Sequence, residues 1–305
     1  MPYLLPVLKD FQPLFDKNNI ELVVTRNAEL LTEKELLELM PDIDGVICVD
    51  DHFTAKVLEA SPKLKVISKW GTGIDAIDLN VAKRLGIVVR NTLDAFTSGV
   101  GDSTLGYMLM FARQLIPLDK DMKAGVWKKR DAVALHECTV GVIGVGNTGR
   151  ATLRRAGAFG AKLLGNDLLP ISQEFINETG MKVATKEEIL RESDFVCIHT
   201  TLNPTSVGLI GEKELKMMKP TAYLINTARG PLVKEDALVK ALESKKIAGA
   251  ALDVFEVEPL PENSKLRKFD NVFLAPHNAN SSFAARDKVN RLTVANCIEE
   301  LAKHV

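Results

Sequence analysis

Short apolar runs rich in valine and isoleucine alternate with stretches of helical periodicity in the first third of the chain. These runs predict strands at residues 3–7, 21–25, 45–49, 65–68 and 87–89. Amphipathic spacing predicts helices between them, for example at residues 32–39 and 78–85. Strand–helix–strand alternation of this kind is typical of parallel sheets that are covered by helices.

A second series of apolar runs follows in the middle of the chain. It predicts strands at residues 139–143, 162–166, 194–200, 222–226, 249–253 and 272–275. Residues 104–115, between the two series, are apolar on most faces and predict a buried or interface helix, and residues 284–301 predict a final helix. The pattern therefore predicts an α/β fold with two doubly wound parallel-sheet domains and an active site in the cleft between them, because ligands bind at the carboxyl ends of such strands.

Composition narrows the class of protein. The 305 residues are 46% apolar and 26% charged, enough for two domain cores, and the net charge of -1 provides no footprint for nucleic acid. No run is long enough to span a bilayer, and the first residues do not resemble a signal peptide. The four cysteines are far apart, which argues against a zinc site or disulfides, so we expect no metal and a cytoplasmic location.

A glycine-rich turn follows the predicted strand at residues 139–143. Gly144 permits a tight turn, Gly146 lets the backbone approach a pyrophosphate, and Gly149 lets the next helix pack on the strand. Asp167 ends the following strand, where an acid binds the 2′-hydroxyl of a ribose. The turn and the acid together predict a dinucleotide site, and a carboxylate there would repel a 2′-phosphate, so NAD is favoured over NADP.

Three further motifs each follow an apolar run, and together they contain an arginine, a carboxylate and a histidine: Arg229, Glu258 and His277. Each of these residues alone is typical of a surface ion pair, a solvated acid or a structural histidine. Their placement at successive strand ends favours a guanidinium that holds a substrate carboxylate and an imidazole that moves a proton. His199 also ends a strand, but no comparable motif accompanies it, so we expect a structural or cofactor-side role.

These motifs resemble those of one enzyme family. The relevant runs are KVISKWGTGIDAID (65–78), VGVIGVGNTGR (140–150), INTARGPLV (225–233), ALDVFEVEP (251–259) and APHNAN (275–280). As a set they are similar to the D-isomer-specific 2-hydroxyacid dehydrogenases, and most to the D-3-phosphoglycerate dehydrogenases among them. The resemblance implies a Rossmann cofactor domain, residues 95–280, inserted in a discontinuous flavodoxin-like substrate domain, residues 1–94 and 281–305. It also implies a homodimer formed through the cofactor domain.

The resemblance also implies roles for single residues. His277 would give a proton to the carbonyl oxygen, Glu258 would orient His277 and raise its pKa, and Arg229 would hold the substrate carboxylate. Backbone N–H groups of the Gly71–Gly73 loop would add to that contact, and the cation of Lys69, where arginine is common, would suit a phosphorylated substrate. Asp253 would lie near the nicotinamide carboxamide, and the remaining residues expected to line the cofactor are Thr72, Thr104, Asn147, Thr148, Thr200, Thr227, Ala228 and Asn280.

The function expected on this basis is NAD-dependent interconversion of a short D-2-hydroxy acid and its 2-oxo acid. The resemblance favours 3-phosphoglycerate and 3-phosphohydroxypyruvate as the pair. A hydroxypyruvate or glyoxylate reductase is the first alternative. A non-enzymatic NAD-sensing protein, like the C-terminal-binding-protein corepressors, is the second alternative, because those proteins share the same three residues.

Overall fold

The computed structural model describes residues 4–25 and 30–304, which form two compact units. After a 3-10 helix (Leu5–Val7), the first unit contains, in chain order, α1 (Leu8–Lys17), α2 (Glu33–Leu39), β1 (Gly45–Cys48), α3 (Ala55–Glu59), β2 (Val66–Lys69), α4 (Leu79–Arg84) and β3 (Val88–Arg90). The strands form a parallel sheet in the order β1-β2-β3. Side chains cap the short helices, since Thr32 and Glu35 form a capping box at α2 and Asp78 caps α4.

The second unit extends from Thr97 to Ser281. Its elements are α5 (Thr97–Ala112), α6 (Leu115–Lys123), β4 (Thr139–Ile143), α7 (Asn147–Ala158), β5 (Lys162–Asn166), α8 (Gln173–Thr179), β6 (Lys182–Val183), α9 (Lys186–Glu192), β7 (Phe195–Ile198), α10 (Glu212–Met217), β8 (Tyr223–Asn226), α11 (Glu235–Glu243), β9 (Gly249–Leu252) and β10 (Val272–Leu274). All seven strands are parallel, in the order β10-β9-β8-β7-β4-β5-β6. The strand order therefore reverses between β4 and β7, which is where doubly wound sheets bind dinucleotides.

The core of the second unit lies on both faces of its sheet. Side chains alternate between the faces along each strand, so Val196 and Ile198 of β7 join one apolar cluster while Phe195 and Cys197 join the other. All four residues of β7 are buried, as are those of β9. Burial on both sides explains why these strands are continuously apolar in the sequence.

The chain returns to the first unit through helix α12 (Phe283–Leu301). Ser282 caps this helix, and it packs on all three strands of the small sheet. The Ser68 hydroxyl donates to the carbonyl oxygen of Thr293 over 2.8 Å, and the Trp70 indole donates to the Asn290 side chain over 2.7 Å. The small sheet is therefore covered by a helix that lies at the far end of the sequence.

The predicted α/β class with parallel sheets in two units is confirmed, but two predicted strands are wrong. Leu5–Val7 is a 3-10 helix instead of a strand, because proline fixes φ near the helical value and suits a first helical turn; Tyr3 lies outside the described residues. Residues 21–25 form no strand, and Val23 and Val24 are more than half exposed. The propensity of these valines for strands has no effect without a paired neighbour.

Two smaller differences concern helices and a short strand. The helix predicted at residues 104–115 begins earlier, at Thr97, and ends at Ala112, because Gln114 adopts a left-handed conformation before α6. One face of α5 is buried through Gly101, Thr104, Met108 and Ala112. The two-residue strand β6 was not predicted, since two residues provide no periodicity. No helix among residues 4–25 and 30–304 has the length and apolar character needed to cross a membrane.

Candidate active site

The glycine turn between β4 and α7 has the geometry that its sequence predicts. Gly144 has φ +96°, and a Cβ there would lie 2.6 Å from the backbone of His199. A Cβ at Gly149 would collide with the carbonyl oxygen of Gly144, whereas nothing lies within 4 Å of the Cβ position at Gly146. Gly146 is exposed and is also the N-cap of α7, so open space faces the N–H groups of the first helical turn. This turn fits a dinucleotide pyrophosphate.

Asp167 holds this turn against the end of β5. Its carboxylate accepts the N–H of Val145 over 2.7 Å and the N–H of Leu169 over 2.9 Å. Thr200, at the end of β7, donates its hydroxyl to the carbonyl oxygen of Ile143 over 3.1 Å. Three neighbouring strand ends therefore surround the turn, and the carboxylate of Asp167 lies beside it at the end of β5.

His199 lies behind the turn and differs from a proton donor in its environment. Its Nε2 is 3.0 Å from the Thr152 hydroxyl, and its Nδ1 is enclosed without a hydrogen-bond partner among the described residues. Burial lowers the pKa of His199 to about 4, so the imidazole is neutral near pH 7. The sequence favours a structural or cofactor-side role for His199, and a buried neutral imidazole is compatible with both.

The loop after β8 presents Arg229. The Asn226 side chain brackets the loop, because its amide donates to the carbonyl oxygen of Arg229 over 2.9 Å and its oxygen accepts the N–H of Ala228 over 3.1 Å. The Arg229 guanidinium is half-buried and donates to the Ala228 carbonyl over 2.9 Å. The hydroxyls of Thr227 and Thr104 are 3.2 Å apart and buried, which joins the loop to α5. The loop is thus held rigidly at its base.

Glu258 and His277 form a direct pair. The Nδ1 of His277 is 2.8 Å from one carboxylate oxygen of Glu258, and the other oxygen accepts the N–H of Phe255 over 2.9 Å. A carboxylate has no proton to give, so Nδ1 carries the hydrogen of this bond. About a third of each side chain is exposed. The pair therefore presents an oriented imidazole to solvent, as the sequence predicts.

Asp253 fixes the backbone around His277. Its buried carboxylate accepts the N–H groups of Asn278 and Ala279 over 2.8 and 2.9 Å, and its carbonyl oxygen accepts the N–H of His277 over 2.8 Å. Burial raises the pKa of Asp253, and the two N–H donors act in the opposite direction. His277 has φ +51°, a left-handed conformation that a non-glycine residue adopts only when its surroundings impose it. Asp253 supplies that constraint.

Sequence reasoning missed a second contact that joins two of the motif loops. Glu235 and Glu256 form reciprocal hydrogen bonds. The Glu235 carboxylate accepts the backbone N–H of Glu256 over 2.7 Å, and the Glu256 carboxylate accepts the backbone N–H of Glu235 over 3.1 Å. A Cβ at Gly230 would overlap the carbonyl group of Phe255. The loop of Arg229 and the loop of Glu258 are therefore locked together. An acid at the first position of α11, Glu235, and a second acid in the ALDVFEVEP run, Glu256, were the only sequence signals of this contact.

The first unit carries the remaining predicted residues at the end of β2. The Lys69 ammonium is 3.2 Å from the Asp50 carboxylate and donates to the Trp70 carbonyl over 3.1 Å. Gly71 has φ +128°, and its Cβ position lies 3.3 Å from Lys69 Nζ. The hydroxyl of Thr72 donates to the Thr92 carbonyl over 3.3 Å. The ion pair with Asp50 was not predicted from the sequence.

The predicted residues thus fall into two groups. Those of the second unit follow the carboxyl ends of β4, β5, β7, β8, β9 and β10, or lie close to them: Thr104, Gly144, Gly146, Asn147, Thr148, Gly149, Asp167, Thr200, Thr227, Ala228, Arg229, Asp253, Glu258, His277 and Asn280. Those of the first unit follow the carboxyl end of β2: Lys69, Gly71, Thr72 and Gly73. One sheet edge in the second unit therefore carries both a dinucleotide turn and an acid–base pair.

Comparison with known proteins identifies the family. Residues 105–279 match the family model described as "D-isomer specific 2-hydroxyacid dehydrogenase, NAD binding domain". This match includes the glycine turn, Asp167, Arg229, Glu258 and His277. It places an NAD-binding domain within the second unit, in agreement with the cofactor predicted from the sequence.

Relatives and solved structures agree with this match. The chain is 41% identical to a glyoxylate reductase of Thermofilum pendens over 280 residues, which cover 88% of this chain and 82% of that protein. It is 37% identical over 250 residues to a D-3-phosphoglycerate dehydrogenase of Synechocystis, with 81% of this chain and 45% of that protein covered. The D-lactate dehydrogenase of Aquifex aeolicus, solved with NAD and lactic acid, superposes with a TM-score of 0.86 at 26% identity over 97% of this chain and 93% of that chain. The chain therefore belongs to the D-isomer specific 2-hydroxyacid dehydrogenase family and is an NAD-dependent oxidoreductase.

Proposed function

We propose that the protein reduces a short, unbranched 2-oxo acid, with glyoxylate and hydroxypyruvate as the first candidates. The observation that carries this proposal is the 2.8 Å contact between His277 and Glu258 on the same sheet edge as the dinucleotide turn. The relative with 41% identity is named glyoxylate reductase, which favours this substrate over the 3-phosphoglycerate that sequence motifs suggested. The phosphoglycerate reading stays a second candidate, supported by the relative in Synechocystis.

Each residue has a defined task in the proposed reaction. With Nδ1 bonded to Glu258, Nε2 of His277 is the atom that donates a proton to the carbonyl oxygen of the substrate. Glu258 favours the protonated imidazole, since a neighbouring carboxylate stabilises the cation. Arg229 holds the substrate carboxylate with its planar fork and polarises the adjacent carbonyl. Backbone N–H groups of Gly71 and Gly73 are proposed to bind the same carboxylate.

The glycine turn, Asp167 and the surrounding threonines are proposed to hold the cofactor. NADH, when bound, supplies the hydride that reaches the carbonyl carbon. The carboxylate of Asp167 would accept a hydrogen bond from a ribose hydroxyl and repel a 2′-phosphate, so NADH is expected to be used in preference to NADPH. Asn147, Thr148, Thr200, Thr227, Ala228 and Asn280 are proposed to line the same site, together with Thr72 and Thr104.

The oligomeric state and the cellular location are also proposed. Several large apolar side chains are exposed on α6 and on the segment after it, including Trp127 at 86% and Met122 at 53%, which supports a homodimer through this surface of the cofactor unit. All four cysteines are unpaired, which supports a reducing, cytoplasmic compartment.

The test is NADH oxidation by the purified protein with glyoxylate, hydroxypyruvate, pyruvate and 3-phosphohydroxypyruvate, alongside a His277→Asn variant. We expect the highest kcat/KM with glyoxylate or hydroxypyruvate, and a fall of roughly 10²–10⁴-fold in the variant, the contribution of a positioned acid. Binding of NADH to both proteins, followed by fluorescence, controls for folding. Tight NADH binding with no turnover of any acid would favour the NAD-sensing alternative.

A further inference from the structure

Two loops of the second unit meet at the peptide group between Phe255 and Glu256. Gly230 lies so close to this peptide that an added Cβ would overlap the Phe255 carbonyl group. The N–H of the same peptide donates to the Glu235 carboxylate over 2.7 Å. Gly230 directly follows Arg229, and Glu235 is the first residue of α11, the helix that follows this loop. Two points of the Arg229 loop therefore contact one peptide of the other loop.

The same two glutamates form a second hydrogen bond, which caps α11. Lys234 occupies the N-cap position of this helix, and a lysine side chain has no acceptor atom for a helix N–H. The Glu256 carboxylate accepts the N–H of Glu235 over 3.1 Å and so supplies a cap from a different loop. A carboxylate at the start of a helix is also favoured by the helix dipole. The contact between the two loops is therefore reciprocal.

The neighbouring peptide holds the acid–base pair. The N–H of Phe255 donates to one carboxylate oxygen of Glu258 over 2.9 Å, and the other oxygen is 2.8 Å from Nδ1 of His277. Glu235 thus fixes one peptide, the peptide before it fixes Glu258, and Glu258 orients the imidazole. A continuous series of hydrogen bonds and one stretch of backbone connect the start of α11 to His277.

The Arg229 loop has support of its own. The Asn226 amide donates to the carbonyl oxygen of Arg229 over 2.9 Å, and its side-chain oxygen accepts the N–H of Ala228 over 3.1 Å. Neither bond involves Glu235. Loss of the Glu235 carboxylate would therefore leave the base of the Arg229 loop in place and would release the peptide next to Glu258.

We propose that Glu235 is a positioning residue for proton transfer, because its carboxylate holds the loop from which Glu258 presents His277 to the substrate. This inference rests on the proposed function, since it takes His277 as the proton donor. Glu235 acts through Glu258 and makes no contact of its own with substrate or cofactor in this assignment. Glu256 supports the same contact by capping the helix that Glu235 begins.

The test replaces Glu235 by alanine and by glutamine. Alanine removes the acceptor of the Glu256 N–H, whereas glutamine keeps an acceptor oxygen and removes the charge. With glyoxylate and NADH, we expect kcat of Glu235→Ala to fall about 10- to 100-fold, because a shift of about 1 Å in a catalytic group costs on the order of 10²-fold in rate. The KM for glyoxylate and the Kd for NADH should stay at their wild-type values. Glu235→Gln should recover most of the lost kcat.

A double variant distinguishes positioning from a loss of stability. His277→Asn alone removes the proton donor. If Glu235 acts through His277, addition of Glu235→Ala to His277→Asn should lower kcat no further, because residues that act as a unit have non-additive effects. A further fall as large as the one in the wild-type background would overturn the proposal.

A matched control is Glu188→Ala in the same unit. Glu188 lies in the first turn of α9, and its carboxylate accepts the backbone N–H of Thr185 over 2.7 Å. This bond has the same chemistry as the one at Glu235, but it joins two residues at the start of one helix rather than two loops. We expect Glu188→Ala to lower the Tm and to keep the wild-type kcat. An equal fall of kcat in both variants would overturn the proposal in favour of a general effect of destabilisation.

A second variant covers the case in which Glu235→Ala does not fold, as judged by its Tm and by NADH binding. Glu256→Ala removes an exposed side chain, leaves the Glu235 carboxylate in place and takes away the cap of α11. We expect a smaller fall of kcat with an unchanged KM for glyoxylate. If Glu235→Ala does not fold, a wild-type kcat in Glu256→Ala overturns the proposal.

The result for His277→Asn separates this inference from the proposed function. Full turnover in His277→Asn would overturn the proposed role of His277 and the inference with it. Loss of turnover in His277→Asn, together with a wild-type kcat in folded Glu235→Ala, would overturn the inference alone.

Discussion

Replacement of Asp253 by asparagine is the sharpest test of how His277 is held. In the wild type the carboxylate accepts two backbone N–H groups, those of Asn278 and Ala279, in a buried position. Asparagine has one acceptor oxygen, so it can accept only one of these two N–H groups. The other N–H would face the NH2 group of the asparagine side chain, which is itself a donor. An unsatisfied buried N–H costs about 1–3 kcal/mol. Removal of a buried charge offsets part of that cost, since burial raises the pKa of Asp253 and thus opposes its ionised form.

We therefore expect Asp253→Asn to lower the free energy of unfolding of the second unit by roughly 1–2 kcal/mol, which corresponds to a Tm lower by about 2–8 °C. The larger effect should fall on turnover. His277 keeps its left-handed backbone only while its loop is tied to Asp253, and a shift of about 1 Å in a catalytic group costs on the order of 10²-fold in rate. We expect kcat to fall by roughly 10- to 100-fold.

The assay is steady-state NADH oxidation together with a thermal melt and direct NADH binding. A suitable control is Asp270→Asn, because the Asp270 side chain is exposed and pairs with Lys120 on α6. If Asp253 acts mainly at the nicotinamide carboxamide, the Kd for NADH should rise while the Tm stays constant. A variant with kcat within twofold of the wild type and an unchanged Tm would refute the positioning role.

Three further outcomes follow from the structure. Gly149→Ala should prevent normal folding or cofactor binding, because the added Cβ would collide with the Gly144 carbonyl oxygen. Gly146→Ala should keep the wild-type Tm and weaken NADH binding, because nothing lies near its Cβ position. Equal Tm values for the two variants would contradict this reasoning. Burial lowers the pKa of His199 from 6.5 to about 4, so the unfolded state binds a proton at a higher pH than the folded state does. The free energy of unfolding should therefore fall by at most about 3 kcal/mol between pH 6.5 and pH 4. Urea unfolding of His199→Gln over the same pH range should show a smaller fall. Trp127→Ser should shift the proposed dimer towards monomer in sedimentation, and an unchanged mass would exclude this surface.

The strands of the second unit could be predicted closely because their pattern is local. The strand predicted at residues 139–143 coincides with β4, and the strand predicted at 162–166 coincides with β5. The predictions at residues 3–7 and 21–25 failed because their outcome depends on proline geometry and on whether a partner strand is present. Local composition indicates whether a segment favours the strand conformation, but it does not indicate whether a neighbouring strand is available to pair with it.

The candidate site shows the same division. His277 and Glu258 stood in recognisable runs, and their contact is confirmed at 2.8 Å. The Lys69–Asp50 pair is invisible in the sequence, because the register of β1 against β2 brings together residues that no spacing rule connects. The reciprocal bonds between Glu235 and Glu256 depend in the same way on how two loops meet. Contacts between residues that are distant in the sequence can be identified only once the fold is known.

The return of α12 to the small sheet has a consequence for synthesis on the ribosome. Strands β1 to β3 emerge early, but the helix that covers them follows an insertion of about 185 residues. At a translation rate of about 5–20 residues per second, roughly 10–40 s pass between the synthesis of β3 and that of α12. The small sheet lacks its covering helix during this interval. The inserted unit is complete before then, so the nascent chain carries a finished cofactor domain beside an unfinished one. Chaperones that bind exposed apolar strands should therefore select the amino-terminal segment during translation.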